Sequence, residues 1–242
     1  HTWSAVSVGG ERTNVMVIMA GGEGRRLRPL TEVCPKPMLP IGGRPMLEHI
    51  IESAVADGFR RFVLAIRYLG HIIEDHFGDG REFGVEIEYL REEQPLGTAG
   101  ALTLLDPLPV EPLMVTNGDV VSLIRYGEML NYHRRQEAQA TMAVRLHDWQ
   151  HQFGVVQTDG ALITGFEEKP VARNYVNAGV YVLEPEVVGL LQAGQPCDMP
   201  SLFGRVRDGG ERTVAFPLHE RWLDVGRQDD YMSAQEWFGP IG

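Results

Sequence analysis

A segment rich in glycine and arginine lies near the amino-terminal end of the chain and has the residue types needed to bind phosphate. Gly21, Gly22 and Gly24 allow the backbone to approach a ligand closely, so that successive amide N–H groups can converge on an anion. Arg26 and Lys36, the latter between two prolines, add fixed positive charge. A neutral metabolite would not require this combination, so the segment predicts a polyphosphate ligand.

The spacing of these glycines differs from two familiar phosphate-binding motifs. Leu27 occupies the position of the third glycine of a dinucleotide-binding fingerprint, which disfavours a NAD-dependent oxidoreductase. No Gly-Lys-Ser or Gly-Lys-Thr sequence follows, so the segment is not a Walker loop. For the loop taken alone, a glycine turn with solvated arginines is the structural alternative.

Two carboxylates elsewhere in the chain add the residue types that bind a hard cation. Asp119 follows the apolar run 113–115 and an Asn-Gly pair, and is expected at the carboxyl end of a central strand. Asp224 lies in a Trp-Leu-Asp-Val-Gly sequence. Each by itself is equally well explained as a turn residue. Together with a triphosphate loop they would suit Mg²⁺, which prefers one or two carboxylates, phosphate oxygens and water.

The composition is that of an ordinary globular protein and disfavours several classes of partner. The chain has 242 residues, 43% of them hydrophobic, and a formal net charge of −11. An acidic chain is not expected to bind nucleic acid or an acidic membrane surface, and no apolar stretch is long enough to span a bilayer. Two cysteines, Cys34 and Cys197, provide neither a disulfide framework nor metal-ligand spacing. We therefore expect a cytoplasmic protein that binds neither nucleic acid nor membrane.

The elements that must position these residues alternate between strand and helix in the first half of the chain. Predicted strands lie at 15–19, 62–66, 85–90 and 113–116, and predicted helices at 45–56, 71–77, 97–105 and 126–138. In the second half, strands are predicted at 141–146, 153–157, 163–167 and 175–183, and helices at 184–191, 200–208 and 228–237. Strand–helix alternation predicts right-handed crossovers. We expect a single α/β domain with a Rossmann-like, mixed, mainly parallel sheet flanked by helices, and a ligand site at the carboxyl ends of its strands.

The run from residue 20 to residue 40 resembles the amino-terminal signature of sugar-1-phosphate nucleotidyltransferases, also called nucleotide-sugar pyrophosphorylases. Further motifs follow in the family's order, and the resemblance covers residues 14–233. It implies Mg-dependent in-line transfer of a nucleotidyl group from an NTP to a sugar 1-phosphate, which gives an NDP-sugar and pyrophosphate. Residues 14–242 are then expected to form the nucleotidyltransferase domain. Residues 1–13 are expected to be a leader, either a tag remnant or the tail of an upstream domain.

The resemblance also implies a role for each matched position. The catalytic residues would be Arg26, Lys36 and Lys169. The nucleotide would be bound by Gly21, Gly22, Gly24, Arg26, Glu92, Gly97 and Gly118. The sugar phosphate would be bound by Gly154, Glu168, Lys169 and Asn177, and Mg²⁺ by Asp119 and Asp224.

Glu92 is the residue expected to contact the nucleotide base. An ionised carboxylate only accepts hydrogen bonds, so it suits guanine, which offers adjacent N–H and NH₂ donors, or a uracil or thymine imide. The sequence around Glu92 and at 95–100 most resembles mannose-1-phosphate guanylyltransferases, which favours GTP and mannose 1-phosphate or a related hexose 1-phosphate. Two alternatives stay open: a uridylyl- or thymidylyltransferase, and a non-catalytic, nucleotide-sensing subunit of the same fold. The assembly is also open, with a homo-oligomer as one option.

Overall fold

The structure is a computed structural model that describes residues 10–239 of the chain. Within these residues the strands, in chain order, are β1 (Val15–Met19), β2 (Pro40–Ile41), β3 (Arg44–Pro45), β4 (Arg61–Ile66), β5 (Glu86–Arg91), β6 (Leu113–Asn117), β7 (Val120–Ser122), β8 (Ala140–Gln150), β9 (Val155–Asp159), β10 (Leu162–Glu167), β11 (Val171–Leu183), β12 (Thr213–Pro217) and β13 (Trp222–Asp224). The α-helices are α1 (Met46–Ala56), α2 (Gly70–Phe77), α3 (Gly97–Gly100), α4 (Tyr126–Arg135), α5 (Pro185–Val188), α6 (Met199–Asp208) and α7 (Gln228–Phe238).

Seven of the described strands form one central sheet, in the order β12-β8-β11-β6-β1-β4-β5. Strand β11 runs antiparallel to both of its neighbours, β6 and β8, and the other four pairings are parallel. The predicted fold class, a mixed and mainly parallel sheet flanked by helices, is confirmed.

Helices cover both faces of this sheet, which explains why the central strand β1 is apolar throughout. In β1, Met16 and Ile18 belong to a core that includes side chains of α1, α2 and α4. Val15 and Val17 belong to the opposite core, with side chains of α3, α5 and α6. A strand buried on both faces needs a continuous apolar run rather than alternation. The pairing of β1 with β4 and with β6 brings the carboxyl ends of these strands side by side.

Most of the strands predicted in the second half belong to one long hairpin. Strand β8 pairs with β11 along its length, and β9 pairs with β10 beyond a break at 151–154 and 168–170. Across the break, the N–H of His151 donates to the carbonyl of Pro170 at 2.9 Å. We call residues 145–176, which extend beyond the central sheet, the arm. Its exposed large apolar side chains are Leu146, Trp149, Phe153, Val156, Leu162, Ile163, Phe166, Val171 and Tyr175.

Several elements differ from the prediction. The sequence does not predict β7, β12 or β13: β7 and β13 have three residues each, too few to show a periodic pattern, and β12 is an edge strand that ends in proline. The helix expected at 97–105 is α3 followed by the 3₁₀ turn Ala101–Leu104, since its two glycines lower helix propensity. The helix expected at 184–191 is shortened to α5.

Residues 1–9 of the predicted leader lie outside the described residues. In the part that is described, Arg12 donates its backbone N–H to the carbonyl of Gly58 and its Nε to the carbonyl of Asp57, both at 2.9 Å. These described residues therefore pack against the domain. Between residues 10 and 239, no helix combines the length and the apolar character needed to cross a membrane.

Candidate active site

A cleft of about 250 Å³ opens at the carboxyl ends of β1, β4 and β6, where the sequence predicts the ligand site. Its walls come from residues at or beyond the ends of these strands and from the segment after β5, residues 92–100, which we call the base loop. They are Met19, Gly21, Gly22, Arg67, Glu92, Pro95, Gly97, Thr98, Asn117 and Asp119. Half of this set are residues that the sequence predicts for the site.

The glycine-rich loop after β1 makes contacts that leave no space for a side chain at Gly21 or Gly24. A Cβ on Gly21 would lie 2.7 Å from Oε1 of Glu92. Gly24 has a φ of +60°, and a Cβ there would lie 2.9 Å from Cγ2 of Thr31. By contrast, a Cβ on Gly22 meets no atom within 4 Å, because this residue faces the open cleft. Neighbouring residues therefore hold the loop at Gly21 and at Gly24. The backbone of Gly22, between them, is accessible from the cleft.

Two short strands bring the two predicted metal ligands together. Strand β7 pairs antiparallel with β13, which places Asp224 opposite Val120. The N–H of Val225 donates to the carbonyl of Asp119 at 3.0 Å. Two aspartates that are distant in sequence thus flank one point at the end of the cleft.

Two cations accompany this pair of aspartates. Nζ of Lys36 lies 2.5 Å from Oδ2 of Asp119, and the Lys36 side chain is only 9% exposed. Nη1 of Arg26 and Oδ1 of Asp224 each lie 3.6 Å from the position of a Cβ on Gly226. The structure therefore groups Arg26, Lys36, Asp119 and Asp224, which we call the charge cluster.

Within the charge cluster, Asp224 is the carboxylate whose ionised form is disfavoured. Burial raises the pKa of Asp224, and the negative charge of Asp119 raises it further, while Lys36 and Arg26 act in the opposite direction. Among residues 10–239, no group of three or more His, Cys, Asp or Glu side chains is placed to hold a metal ion. Two carboxylates are nevertheless what Mg²⁺ takes from a protein when phosphate oxygens and water complete its shell. The donor set fits Mg²⁺ bound together with a triphosphate.

Glu92 lies in the cleft wall beside Gly21 of the glycine-rich loop. Its Oε2 accepts a hydrogen bond from the N–H of Leu96 at 3.0 Å, and its Oε1 lies next to Gly21. Burial raises the pKa of Glu92, while the Leu96 N–H and the charge of Arg67 act in the opposite direction. Since the backbone already engages one oxygen, a bidentate contact with guanine would require Oε2 to accept two hydrogen bonds.

The residues predicted to bind the sugar phosphate lie on the long hairpin and do not line the cleft. Oε2 of Glu168 is 3.0 Å from the position of a Cβ on Gly154, across the break in the arm. Lys169 is exposed and has a φ of +44°, a value that is rare outside glycine and costs backbone energy. Asn177 lies at the bulge of β11, where its Nδ2 donates to the hydroxyl of Tyr181 at 2.8 Å. The structure groups Gly154 with Glu168 and Lys169, apart from the cleft walls.

Gly118, predicted to bind nucleotide, is buried below the cleft and is not part of its walls. Its N–H donates to the carbonyl of Met19 at 2.9 Å, and a Cβ on it would lie 2.9 Å from the same oxygen. Glycine at this position allows the end of β6 to pack closely against the end of β1.

The model of the nucleotidyl transferase family matches residues 15–238, a range that includes every residue predicted for the site. The chain belongs to this family. Membership agrees with the resemblance that the sequence motifs show.

Named members of the nucleotidyl transferase family are similar to this chain over most of its length. The mannose-1-phosphate guanylyltransferase of Mycobacterium tuberculosis is 35% identical over 228 residues, which cover 89% of this chain. The mannose-1-phosphate guanyltransferase of Saccharomyces cerevisiae is 34% identical over 226 residues, which cover 90% of this chain. In both comparisons the chain spans 62% of the relative's length.

Solved structures share the fold. A Bacillus anthracis protein assigned as a glucose-1-phosphate thymidylyltransferase, in complex with sucrose, has a TM-score of 0.76 at 23% identity and covers 97% of each chain. HddC from Yersinia pseudotuberculosis, complexed with GMP-PN, has a TM-score of 0.74 at 23% identity, over 93% of this chain and 100% of its own.

In this member of the nucleotidyl transferase family, five cleft residues are absent from the set that the sequence predicts, and three of them are polar: Arg67, Thr98 and Asn117. Arg67 directly follows β4 and Asn117 ends β6, so the rule that ligands bind at the carboxyl ends of parallel strands would have found both. Nη2 of Arg67 lies 3.4 Å from Oε1 of Glu23 and so joins the end of β4 to the glycine-rich loop. Oδ1 of Asn117 is buried and has no hydrogen-bond partner among the described residues, which leaves an acceptor for a ligand.

Proposed function

We propose that this chain transfers a nucleotidyl group from a nucleoside triphosphate, with GTP favoured, to mannose 1-phosphate or a related hexose 1-phosphate. The products are an NDP-sugar and pyrophosphate. The observation that carries the proposal is the charge cluster beside the glycine-rich loop, because two cations and two carboxylates at the end of such a cleft suit two phosphate-bearing substrates and a divalent cation. The names of the relatives support mannose 1-phosphate and GTP. A nucleoside triphosphate donor also supports a cytoplasmic reaction.

The reaction requires positioning and charge neutralisation rather than a protein nucleophile. A phosphate oxygen of the sugar 1-phosphate attacks the α-phosphorus of the triphosphate in line, and a new P–O bond forms. The bond from the α-phosphorus to the oxygen that bridges it to the β-phosphorus breaks. That oxygen keeps the electron pair and leaves as part of pyrophosphate.

On the nucleotide side, the backbone amides of Gly21, Gly22 and Gly24 would bind the phosphates. Arg26 would stabilise the charge that develops on the leaving pyrophosphate. The ion pair of Lys36 with Asp119 holds the Lys36 ammonium in place before substrate arrives, which is the condition for effective electrostatic stabilisation.

The metal ion in this proposal is Mg²⁺, held by Asp119 and Asp224. When bound, it would neutralise negative charge on the triphosphate. The pairing of β7 with β13 supports this assignment, because it brings the two aspartates to the same end of the cleft.

On the sugar side, Glu168 would accept hydrogen bonds from sugar hydroxyls and Lys169 would pair with the sugar phosphate. The unusual backbone conformation of Lys169 supports a functional position, since such strain concentrates at ligand-binding sites. Lys36 and Lys169 are also the only lysines of the whole chain. Asn177 and Gly154 would complete the sugar pocket.

Release of pyrophosphate tests this proposal directly. We expect release when GTP and mannose 1-phosphate are supplied together with Mg²⁺, and loss of release when EDTA is added. A reaction without the sugar phosphate is the control that separates transfer from hydrolysis. If no pair from a panel of four NTPs and several hexose 1-phosphates yields pyrophosphate, the proposed activity is wrong.

A uridylyl- or thymidylyltransferase is the second candidate, because the geometry of Glu92 also suits a uracil or thymine base. With Oε2 bonded to the N–H of Leu96, the single oxygen next to Gly21 suits the one N–H of a uracil or thymine imide as well as a guanine donor. Fastest turnover with UTP or dTTP in the same panel would identify this alternative.

We further propose that a second copy of the chain packs on the arm. Phe153, Leu162 and Phe166 are each more than 70% exposed, and contact of such large apolar surfaces with water is unfavourable in free energy. The charges of Asp148 and Arg173 cancel in two contacts of 2.7 Å, so a second acidic copy can approach this surface. Sedimentation velocity should show a dimer that Phe166→Asp dissociates; a monomeric wild-type protein at high micromolar concentration would contradict the proposal.

A further inference from the structure

The base loop is hydrogen-bonded to a segment far along the chain, residues 194–199, which we call the tether. Cys197 makes three of these contacts through its backbone. Its N–H donates to the carbonyl of Leu96 at 2.9 Å, and its carbonyl accepts from the N–H groups of Ala99 and Gly100 at 2.9 and 3.1 Å. The tether therefore satisfies backbone groups that the short helix α3 leaves without partners of its own.

Three further contacts join the base loop and the tether, and one of them is the hydrogen bond that Nε2 of Gln94 donates to the carbonyl of Gly194 at 3.0 Å. The N–H of Met199 donates to Oγ1 of Thr98 at 2.9 Å, so one side chain of the cleft wall is engaged from behind. Gly97 has a φ of +77°, and a Cβ on it would lie 2.5 Å from the carbonyl oxygen of Cys197. Glycine at position 97 is thus required by the tether, in addition to any contact with nucleotide.

Through Leu96, the contacts between the tether and the base loop extend to Glu92, the carboxylate proposed to contact the base. Leu96 is fixed on three sides: its side chain is buried, its carbonyl accepts from the N–H of Cys197, and its N–H donates to Oε2 of Glu92. With Oε2 fixed in this way, Oε1 is directed towards Gly21 in the cleft. A shift of the tether would therefore change the orientation of Glu92 without altering any residue that touches the ligand.

The conformation of the tether itself depends on Asp198, an exposed residue outside the cleft walls. Its Oδ1 accepts from the N–H of Ser201 at 2.8 Å and so caps the amino-terminal end of α6. Asp198 is flanked by Cys197 and Met199, whose backbones contact the base loop. The cap fixes the backbone where these contacts are made.

We propose that the tether is a positioning element for base selection, through which Asp198 and Thr98 set how well the cleft discriminates among nucleotide bases. The inference rests on the proposed function in one respect, that Glu92 contacts the base. Asp198 acts through the backbone and touches no substrate, so it is a positioning residue.

Isothermal titration with GTP, ATP, CTP and UTP tests the role of Asp198 without requiring catalysis. For Asp198→Ala we expect the affinity for the preferred triphosphate to fall about fivefold, as for loss of one helix cap, while the weakest binder changes by less than about twofold. The matched control is Asp198→Asn, which keeps a capping oxygen and should retain the wild-type ratio between the tightest and weakest triphosphates.

A second pair of variants probes the same link from the base loop. Thr98→Val keeps the shape of the side chain but removes the acceptor for the Met199 N–H, and should lower the same ratio about fivefold. Thr98→Ser keeps the hydroxyl and should recover most of the lost discrimination.

The outcomes separate this inference from the function on which it rests. If the wild-type protein discriminates among triphosphates but Asp198→Ala and Thr98→Val weaken all of them equally, or lower only the melting temperature, the positioning role is wrong and the proposed function stands. If the wild-type protein binds none of the four triphosphates, both are wrong.

Discussion

The cleft and the arm differ in whether their proposed binding residues already have partners within the protein. At the cleft, two pairings exist before any ligand binds: Lys36 with Asp119, and Glu92 with the backbone of Leu96. On the arm, Glu168 and Lys169 are exposed beside a break in the strand pairing. The proposed nucleotide side is therefore preorganised, whereas the proposed sugar side would depend on substrate contacts for its final arrangement. Changes in the cleft should affect turnover, and changes on the arm should affect sugar binding.

The largest expected effect comes from the charge cluster. Asp119→Asn removes a proposed metal ligand and the partner of Lys36, so we expect turnover to fall at least about a thousandfold, or roughly 4 kcal/mol of barrier. Pyrophosphate release under saturating substrates measures it, and Asp75→Asn, an exposed change on α2, is the matched control. Turnover within tenfold of wild type would remove Asp119 from the metal role.

A smaller and more selective effect is expected on the arm. Lys169→Ala should raise the KM for the sugar 1-phosphate and lower kcat/KM about 100-fold, or about 2.7 kcal/mol, with little change in nucleotide affinity. Lys169→Arg keeps the positive charge, so its kcat/KM should fall less than that of Lys169→Ala. Equal losses of sugar and nucleotide affinity would contradict the division between the two regions.

The glycine-rich loop offers a matched pair of substitutions. Gly21→Ala places a Cβ 2.7 Å from Oε1 of Glu92, so we expect nucleotide affinity to fall at least about tenfold. Gly22→Ala adds a Cβ that meets no atom of the chain within 4 Å, so it should lower the nucleotide affinity less than Gly21→Ala does. Titration of GTP measures both, and the reverse order of losses would show that Glu92 does not constrain the loop.

The smallest effect is a pH dependence of nucleotide affinity. Burial raises the pKa of Glu92, and only the ionised carboxylate is a pure acceptor. Below this raised pKa, affinity should decrease by up to about tenfold per pH unit, and the decrease should begin at a higher pH than for an ordinary glutamate. Glu92→Gln should show weak affinity without this pH dependence.

The same group has the opposite effect on folding. A raised pKa in the folded protein means that folding favours the neutral carboxyl, so its contribution to stability is present at low pH and is lost as the pH rises through that pKa. Glu92→Gln should therefore melt at a higher temperature than wild type at pH 7 and at nearly the same temperature at pH 4. A lower melting temperature at pH 7 would show that the carboxylate is stabilised instead.

Local chemistry made part of this molecule predictable. The strand from Val15 to Met19 and the glycine turn after it follow from the apolar run and the glycines alone, and the structure has the strand at the predicted residues. The proximity of Asp119 and Asp224 was implied only by family resemblance, because the strands that join them have three residues each. Short pairings of this kind depend on the whole fold rather than on a sequence pattern.

The tether and the glycines show the limits of motif reasoning. Cys197 contacts the base loop through its backbone, which leaves no side-chain signature in the sequence. Gly118 matches a binding motif, but the structure places it in the packing of β6 against β1. Glycine at such positions can serve a ligand or a neighbouring strand, and only the tertiary contacts distinguish the two.

The placement of the two lysines has a practical consequence. One ammonium is buried against Asp119 and the other is exposed on the arm, and no further lysine exists anywhere in the chain. An amine-reactive dye should therefore label Lys169 and the amino terminus while sparing Lys36. Because the dye consumes the ammonium that is proposed to pair with the sugar phosphate, bound sugar 1-phosphate should protect Lys169 from labelling.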